Sequence, residues 1–135
     1  MSAVRYMLDT NIMSDLVRNP TGKSARKLRK IGDESVCISI ITAAELRFGA
    51  AKRGSVPLQE RIEVVLAEVE TVPLKKPTDE EYARIRHDLE VKGTIIGPND
   101  LLIAAHACAI GATLVTANVG EFKRVRGLKV ENWLA

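Results

Sequence analysis

Short apolar, β-branched runs alternate along this chain with helical segments of about 10 to 15 residues, and this alternation restricts the fold more than any other feature. The runs are Val4 to Leu8, Ser35 to Ile40, Thr71 to Leu74, Thr113 to Thr116 and Leu128 to Trp133. The first helix, capped by Thr10 or Asn11, runs to about Val17 and stops at Asn19-Pro20, and a basic helix follows over Gly22 to Ile31. Further helices are expected from Thr42 to about Arg53, from Pro57 to about Val69, and from Thr78 to Gly93 with Tyr82, Ile85 and Leu89 at helical spacing. Residues 99 to 110 are almost wholly apolar, which marks a helix buried on most sides, ended by Gly111. Strands joined through helices form parallel crossovers, so the expected fold is α/β, a short parallel β-sheet flanked by helices on both faces. With 135 residues, 46% of them hydrophobic, and no internal repeat or Gly/Ser/Pro linker, a single domain over 1–135 is expected.

Composition narrows the function classes. The balance of 20 Lys and Arg against 17 Asp and Glu leaves +3, which permits a nucleic-acid partner without demanding one. Cys37 and Cys108 both fall inside apolar runs with no metal-type spacing, and read as buried free thiols in a reducing compartment. No apolar stretch is long enough to span a membrane, and Met1 to Tyr6 leads into the first run without signal-peptide architecture, so a cytoplasmic location is expected.

Where the apolar runs stop, a carboxylate follows within a few residues. The four cases are Leu8-Asp9-Thr10-Asn11, Thr42-Ala43-Ala44-Glu45, Gly97-Pro98-Asn99-Asp100 and Thr116-Ala117-Asn118-Val119-Gly120-Glu121. Open parallel sheets place their sites outside the carboxyl ends of the strands, where Asp9, Glu45 and Asn118 would fall, while Asp100 opens the buried helix that feeds the strand at 113 to 116. Each acid also has an ordinary structural reading. Glu45, three residues after Thr42, fits a capping box; Asp100 suits the positive end of a helix; Glu121 suits a solvated loop. Asp9 resists such a reading, because a short acid ending a core strand is costly to bury unless paired or bound to a cation. Together, with no lysine or arginine among the motifs, the acids imply a hard divalent cation, Mg2+ with Mn2+ as a substitute. The chemistry that follows is phosphodiester or phosphoryl transfer with a metal-activated water as nucleophile. Neither His87, on a charged amphipathic helix, nor His106, inside the apolar one, is required, and Ser14, Ser39 and the cysteines lack the base that nucleophilic catalysis needs.

Four segments, taken in order, resemble a known family: Tyr6 to Asn11, Ile40-Ile41-Thr42-Ala43-Ala44-Glu45-Leu46-Arg47-Phe48-Gly49, Ile96 to Ala107 and Leu114 to Leu128. They are similar to the PIN-domain ribonuclease toxins of VapBC toxin–antitoxin pairs, and the likeness extends to the closing Val130-Glu131-Asn132-Trp133-Leu134. The resemblance implies that Asp9, Glu45 and Asp100 are the core acids that bind Mg2+ or Mn2+. It places a fourth acidic position at 118 to 121, where this chain has Asn118 in place of the aspartate of many PIN domains and Glu121 completes the cluster. Thr10, Asn11, Thr116 and Asn118 would then orient carboxylates or metal waters, with capping and turn chemistry as their ordinary alternative.

By the same resemblance the chain is a metal-dependent endoribonuclease and the toxin of a type II toxin–antitoxin system. It would cut structured loops of tRNA or ribosomal RNA to leave 5′-phosphate and 3′-hydroxyl ends. The Gly97-Pro98-Asn99-Asp100 form is similar to toxins that cut initiator tRNA in the anticodon stem-loop. The implied partners are a second copy in a homodimer and a VapB-type antitoxin, whose C-terminal segment sends an arginine or acidic group toward the metal site. Apolar faces of the helices at 12 to 17 and 42 to 51 are candidate grooves for it. Lys23, Arg26, Lys27, Arg29, Lys30, Lys123, Arg124 and Arg126 are candidate phosphate contacts. Aromatics make up only 4% of the chain, so shape rather than stacking is expected to dominate RNA choice.

Two rival readings stand beside this one. A receiver-like, Mg-dependent phosphoacceptor also gathers acids at a sheet end, but needs a lysine after a later strand, and Lys123 lies far beyond the run ending at Thr116. A catalytically silent RNA- or partner-binding module would have no use for all three core acids.

Overall fold

The computed structural model describes residues 5–135. Strands β1 (Tyr6–Leu8), β2 (Val36–Ser39), β3 (Glu70–Val72), β4 (Thr113–Val115) and β5 (Val130–Glu131) form one sheet in the order β3-β2-β1-β4-β5. All neighbouring pairs are parallel, with Tyr6 opposite Val36 on one side of β1 and opposite Thr113 on the other. The connections are α1 (Thr10–Arg18), α2 (Lys23–Ile31), α3 (Ile40–Arg53), α4 (Val56–Glu68), α5 (Thr78–Val91), α6 (Pro98–Ile110) and the one-turn α7 (Val119–Phe122).

Alternating side chains divide the core into two layers. Leu8, Val36, Ile38 and Val115 pack with Ile12 and Met13 of α1, Leu28 of α2, Leu46 of α3 and Ile62 of α4. Met7, Cys37 and Leu114 pack with Ile85 and Leu89 of α5, Ile103 and Ala104 of α6, and Phe122. Because both faces are covered, the central strands read as continuous apolar runs rather than as polar–apolar alternation. Each large aliphatic side chain withdrawn from water contributes on the order of 1.5–3 kcal/mol. The sheet order reverses between β1 and β4, which puts the crevice of an open parallel sheet at the carboxyl ends of these two strands.

Helix starts differ from the sequence expectation. Asp9, rather than Thr10 or Asn11, caps α1, its side chain accepting from the Ile12 amide. Ser39 caps α3, so that helix begins at Ile40, Thr42 lies buried within it, and the capping-box reading of Glu45 fails. Ser35 belongs to a 3-10 turn over Asp33–Ser35 instead of to β2. In the last run only Val130 and Glu131 pair with β4, and Trp133 turns away to pack on Tyr6 with ring centroids 5.6 Å apart. Helix α7 was not expected, and Val4, assigned to the first strand, lies outside the described residues. Helix α6 is buried as its composition predicts, and Gly111 ends it in the left-handed region at φ 70°. Cys37 is buried, whereas Cys108 is only half-buried; both are free thiols. No described helix is long and apolar enough to cross a membrane.

Candidate active site

The site begins where β1 lets go of the sheet. The Asp9 amide still donates to Val115 O at 2.9 Å, which ties the acid to β4, while its Oδ1 accepts from the Ile12 amide at 2.9 Å and starts α1. Asp9 is 4% exposed. Burial raises its carboxyl above the usual value and the charge of Glu45 adds to this, against hydrogen bonds from the Thr116 hydroxyl and the Ile12 and Asn11 amides. Thr116 Oγ1 also accepts from the Asn118 amide at 2.9 Å, so one hydroxyl links the acid after β1 to the turn after β4.

Glu45 comes from the second turn of α3 and is half-buried. Its Oε1 accepts from the Thr10 hydroxyl, and its Oε2 accepts from Asn99 Nδ2 at 3.1 Å. Asp100 stands in the first turn of α6, where the helix dipole favours a negative charge. Its surroundings oppose that charge more strongly. Burial, the Glu121 carboxylate in hydrogen-bond contact, and the more distant charges of Glu45 and Asp9 push its carboxyl up to about 7. Glu121, on α7, accepts from the Gly97 amide at 3.4 Å through Oε1 and from the Asn118 side-chain amide through Oε2.

The four sequence-predicted acids therefore form one electrostatic neighbourhood at the carboxyl edge of β1 and β4. Among the described residues none of them is in an ion pair; the pairs present, such as Arg47–Glu63 and Arg84–Glu81, involve none of these acids. Their donor chemistry fits a hard divalent cation, being all oxygen and uncompensated. As placed, no three of these side chains surround a single point among the described residues. Glu45 is held toward Thr10 and Asn99, and Glu121 toward Gly97 and Asn118.

Of the remaining sequence-predicted residues, Thr10 bonds Glu45, Thr116 bonds Asp9, the Asn11 amide reaches Asp9, and the Asn118 side chain bonds Glu121. Two further contributors were missed. Asn99 joins α6 to Glu45, and its position beside Asp100 in a first turn was the available signal. His106 is buried, with Nδ1 2.8 Å from Ser39 Oγ, and Ser39 caps α3; the pair braces the helices that carry Asp100 and Glu45. Burial lowers the His106 pKa below its ordinary value. His87 is exposed on α5, away from these contacts.

Residues 6–128 match the PIN domain family. The ribonuclease VapC2 of Rickettsia felis is 39% identical over 130 residues, covering 95% of this chain and 97% of that protein. The tRNA(fMet)-specific endonuclease VapC of Salmonella typhimurium is 33% identical, with 96% and 98% covered. In three dimensions the chain is similar to the Rickettsia felis VapBC2 crystal structure bound to promoter DNA, with a TM-score of 0.89 and 38% identity over 96% of this chain and 99% of that one. Nucleases of this kind generally depend on a divalent metal. These relatives set aside the phosphoacceptor and the silent binding module, and the chain belongs to the PIN domain family as one of its VapC-type ribonucleases.

Proposed function

We propose that this protein is the toxin of a type II toxin–antitoxin pair, a Mg2+-dependent endoribonuclease, with Mn2+ as a substitute, that hydrolyses phosphodiester bonds in tRNA, the initiator tRNA anticodon loop being the favoured target. The carrying observation is the set of four carboxylates, Asp9, Glu45, Asp100 and Glu121, gathered without a cationic partner among the described residues. Asp9 and Asp100 are the principal metal ligands in this reading, and Glu45 and Glu121 complete the shell by rotating from their present hydrogen bonds. When bound, the cation supplies a nucleophilic hydroxide at neutral pH and neutralises charge on the departing 3′ oxygen. The protein's own part is positional. Thr116 and the Ile12 and Asn11 amides fix the Asp9 carboxylate, Thr10 and Asn99 restrain Glu45, and Asn118 restrains Glu121.

The cognate partner in this reading is a VapB-type antitoxin. A cleft of about 230 Å³ between α1, α3 and α4 runs past Val17, Leu46 and Leu58 to Thr10 and Glu45, and suits an apolar antitoxin segment that ends on the acid cluster. The chain acts as one cytoplasmic domain over residues 1–135 and as a homodimer. A small reading frame for a DNA-binding protein beside the gene is the corresponding genetic expectation.

The test is incubation of the purified protein with total RNA and Mg2+ or Mn2+, mapping 5′-phosphate ends. Discrete cuts in tRNA that vanish with EDTA are expected; cuts that persist in EDTA would remove the metal from the reading. A finer check is Thr116→Val, which preserves volume but deletes the hydroxyl between Asp9 and Asn118. Calorimetric titration with Mn2+ should show binding weakened roughly 10–100-fold, the usual effect of losing a group that orients a ligand.

A further inference from the structure

After β3 the chain crosses the carboxyl edge of the sheet, the edge from which Asp9 emerges, before entering α5. This crossing and the first turns of α5 and α6 enclose an open cavity of about 400 Å³. That is within the range of roughly 300–1,000 Å³ typical of small-molecule sites. Leu74, Tyr82 and Leu102 give it apolar walls, although Leu74 is 39% exposed. Lys75 and Lys76 also line it and, among the described residues, neither is in an ion pair; Asp79 is the one acid in its walls. Thr78 forms part of the floor between these side chains. It is 6% exposed and its hydroxyl oxygen is turned into the protein, so the contacts open to a ligand are the lysines, the Tyr82 ring and the leucines.

The cavity and the acid cluster share helix α6. Leu102 follows Asn99 by one helical turn, and Asn99 donates to Glu45. Side chains at this spacing lie about 5–6 Å apart at Cβ, so on α6 the residue that bonds Glu45 and a residue of the cavity wall are neighbours. The Tyr82 ring is held in place by Arg86, whose Nη1 donates to the phenol oxygen at 3.0 Å and whose guanidinium carbon is 5.9 Å from the ring centroid. An aromatic ring, apolar walls and two lysines outside any ion pair among the described residues are the elements by which proteins hold an unpaired nucleotide: base stacking and backbone charge neutralisation. An apolar protein segment would leave both lysines unmatched.

Building on the ribonuclease reading above, we infer that this cavity is a subsite for an unpaired nucleotide of the RNA substrate, flanking the nucleotide that is cut. The decisive experiment measures fluorescence anisotropy of labelled mixed tRNA in EDTA across a salt series, alongside metal-dependent cleavage of total RNA and light scattering of each protein. Tyr82→Ala should weaken tRNA binding about tenfold, equivalent to about 1.4 kcal/mol, the loss of one base stack. Tyr82→Phe should bind as the wild type does. Because Tyr82→Ala also removes packing, the surface variant Lys75→Ser/Lys76→Ser gives a second reading; it should flatten the slope of log K against log salt by about one to one and a half. Wild-type affinity and salt slope in these variants would overturn the subsite. So would a shift from dimer to monomer with tRNA affinity intact, which would assign the surface to a second copy. A wild-type protein that neither binds nor cuts RNA removes the ribonuclease reading itself, an outcome distinct from active protein with unaffected variants.

Discussion

Replacing Asp100 with asparagine is expected to abolish RNA cleavage and, in the same protein, to raise the melting temperature measured without metal. The Asp100 carboxyl is raised from 3.8 to about 7 by burial, by contact with Glu121 and by the charges of Glu45 and Asp9. The folded state thus holds a proton that the unfolded chain releases near its ordinary carboxylate value. Between about pH 4 and pH 7 folding stability falls as pH rises; above pH 7 the full penalty is present, and below about pH 4 it is absent. Asparagine has the same shape and never ionises, so its advantage should be largest above pH 7 and should fade at acid pH. Because Asp100 is half-exposed, solvent screening reduces the gain to about 1–2 kcal/mol, or roughly 3–8 °C. Saturating Mg2+ should reverse the order, since a ligand at 100 times its Kd stabilises the wild type by about 2.7 kcal/mol and the variant by much less. Thermal scans in EDTA and in Mg2+ at pH 5 and pH 8, beside a cleavage assay, test all of this. Equal melting temperatures in EDTA at pH 8, together with retained cleavage, would remove Asp100 from the metal site.

The order of strands and helices was legible because the central strands are covered on both faces and the helices between them end at recognisable stops, such as Asn19-Pro20 and Gly111. Helix starts were less legible. Asp9, Thr10, Asn11, Ser39 and Thr42 are all competent capping types, and which of them caps depends on where the strand ladder ends, a property of neighbouring strands and not of local sequence. The short α7 escaped notice because Val-Gly-Glu-Phe has weak helix preference and no side-chain cap; its Asn118 spends its amide on Glu121 instead. The same division holds at the site. Four acids after apolar runs were visible as a pattern, and the fold sets them within electrostatic reach of one another without closing any three on a single point among the described residues. Of the groups that restrain them, Thr10, Asn11, Thr116 and Asn118 were legible because they lie beside the acids in sequence, whereas two were not: Asn99 reaches Glu45 across 54 residues, and His106 reaches Ser39 across 67. Such contacts exist only once α3 and α6 have docked on the sheet.

Asp9 caps α1 and, in the proposed site, would also hold the metal, and a pair of substitutions should separate the two duties. Asparagine caps helices about as well as aspartate, so Asp9→Asn should keep an acceptor for the Ile12 amide and retain the fold. It also removes a buried carboxyl whose charge the site opposes, so metal-free stability should match or exceed that of the wild type. Cleavage should nonetheless fall by at least about a thousandfold, because several kcal/mol of transition-state stabilisation leave with the ligand. Asp9→Ala should lose activity to the same degree and stability as well. It deletes the cap, at about 1–2 kcal/mol, and leaves the Ile12 amide and the Thr116 hydroxyl without this partner in a site that is nearly closed to water. Urea titration of both variants, read beside cleavage of total RNA in Mg2+, gives the comparison. Equal inactivity with unequal stability is the signature of a metal ligand that also caps a helix. Near-normal cleavage by Asp9→Asn would mean that the cap is the whole of its role, and the carboxylate cluster would then have to be rebuilt around Glu45, Asp100 and Glu121.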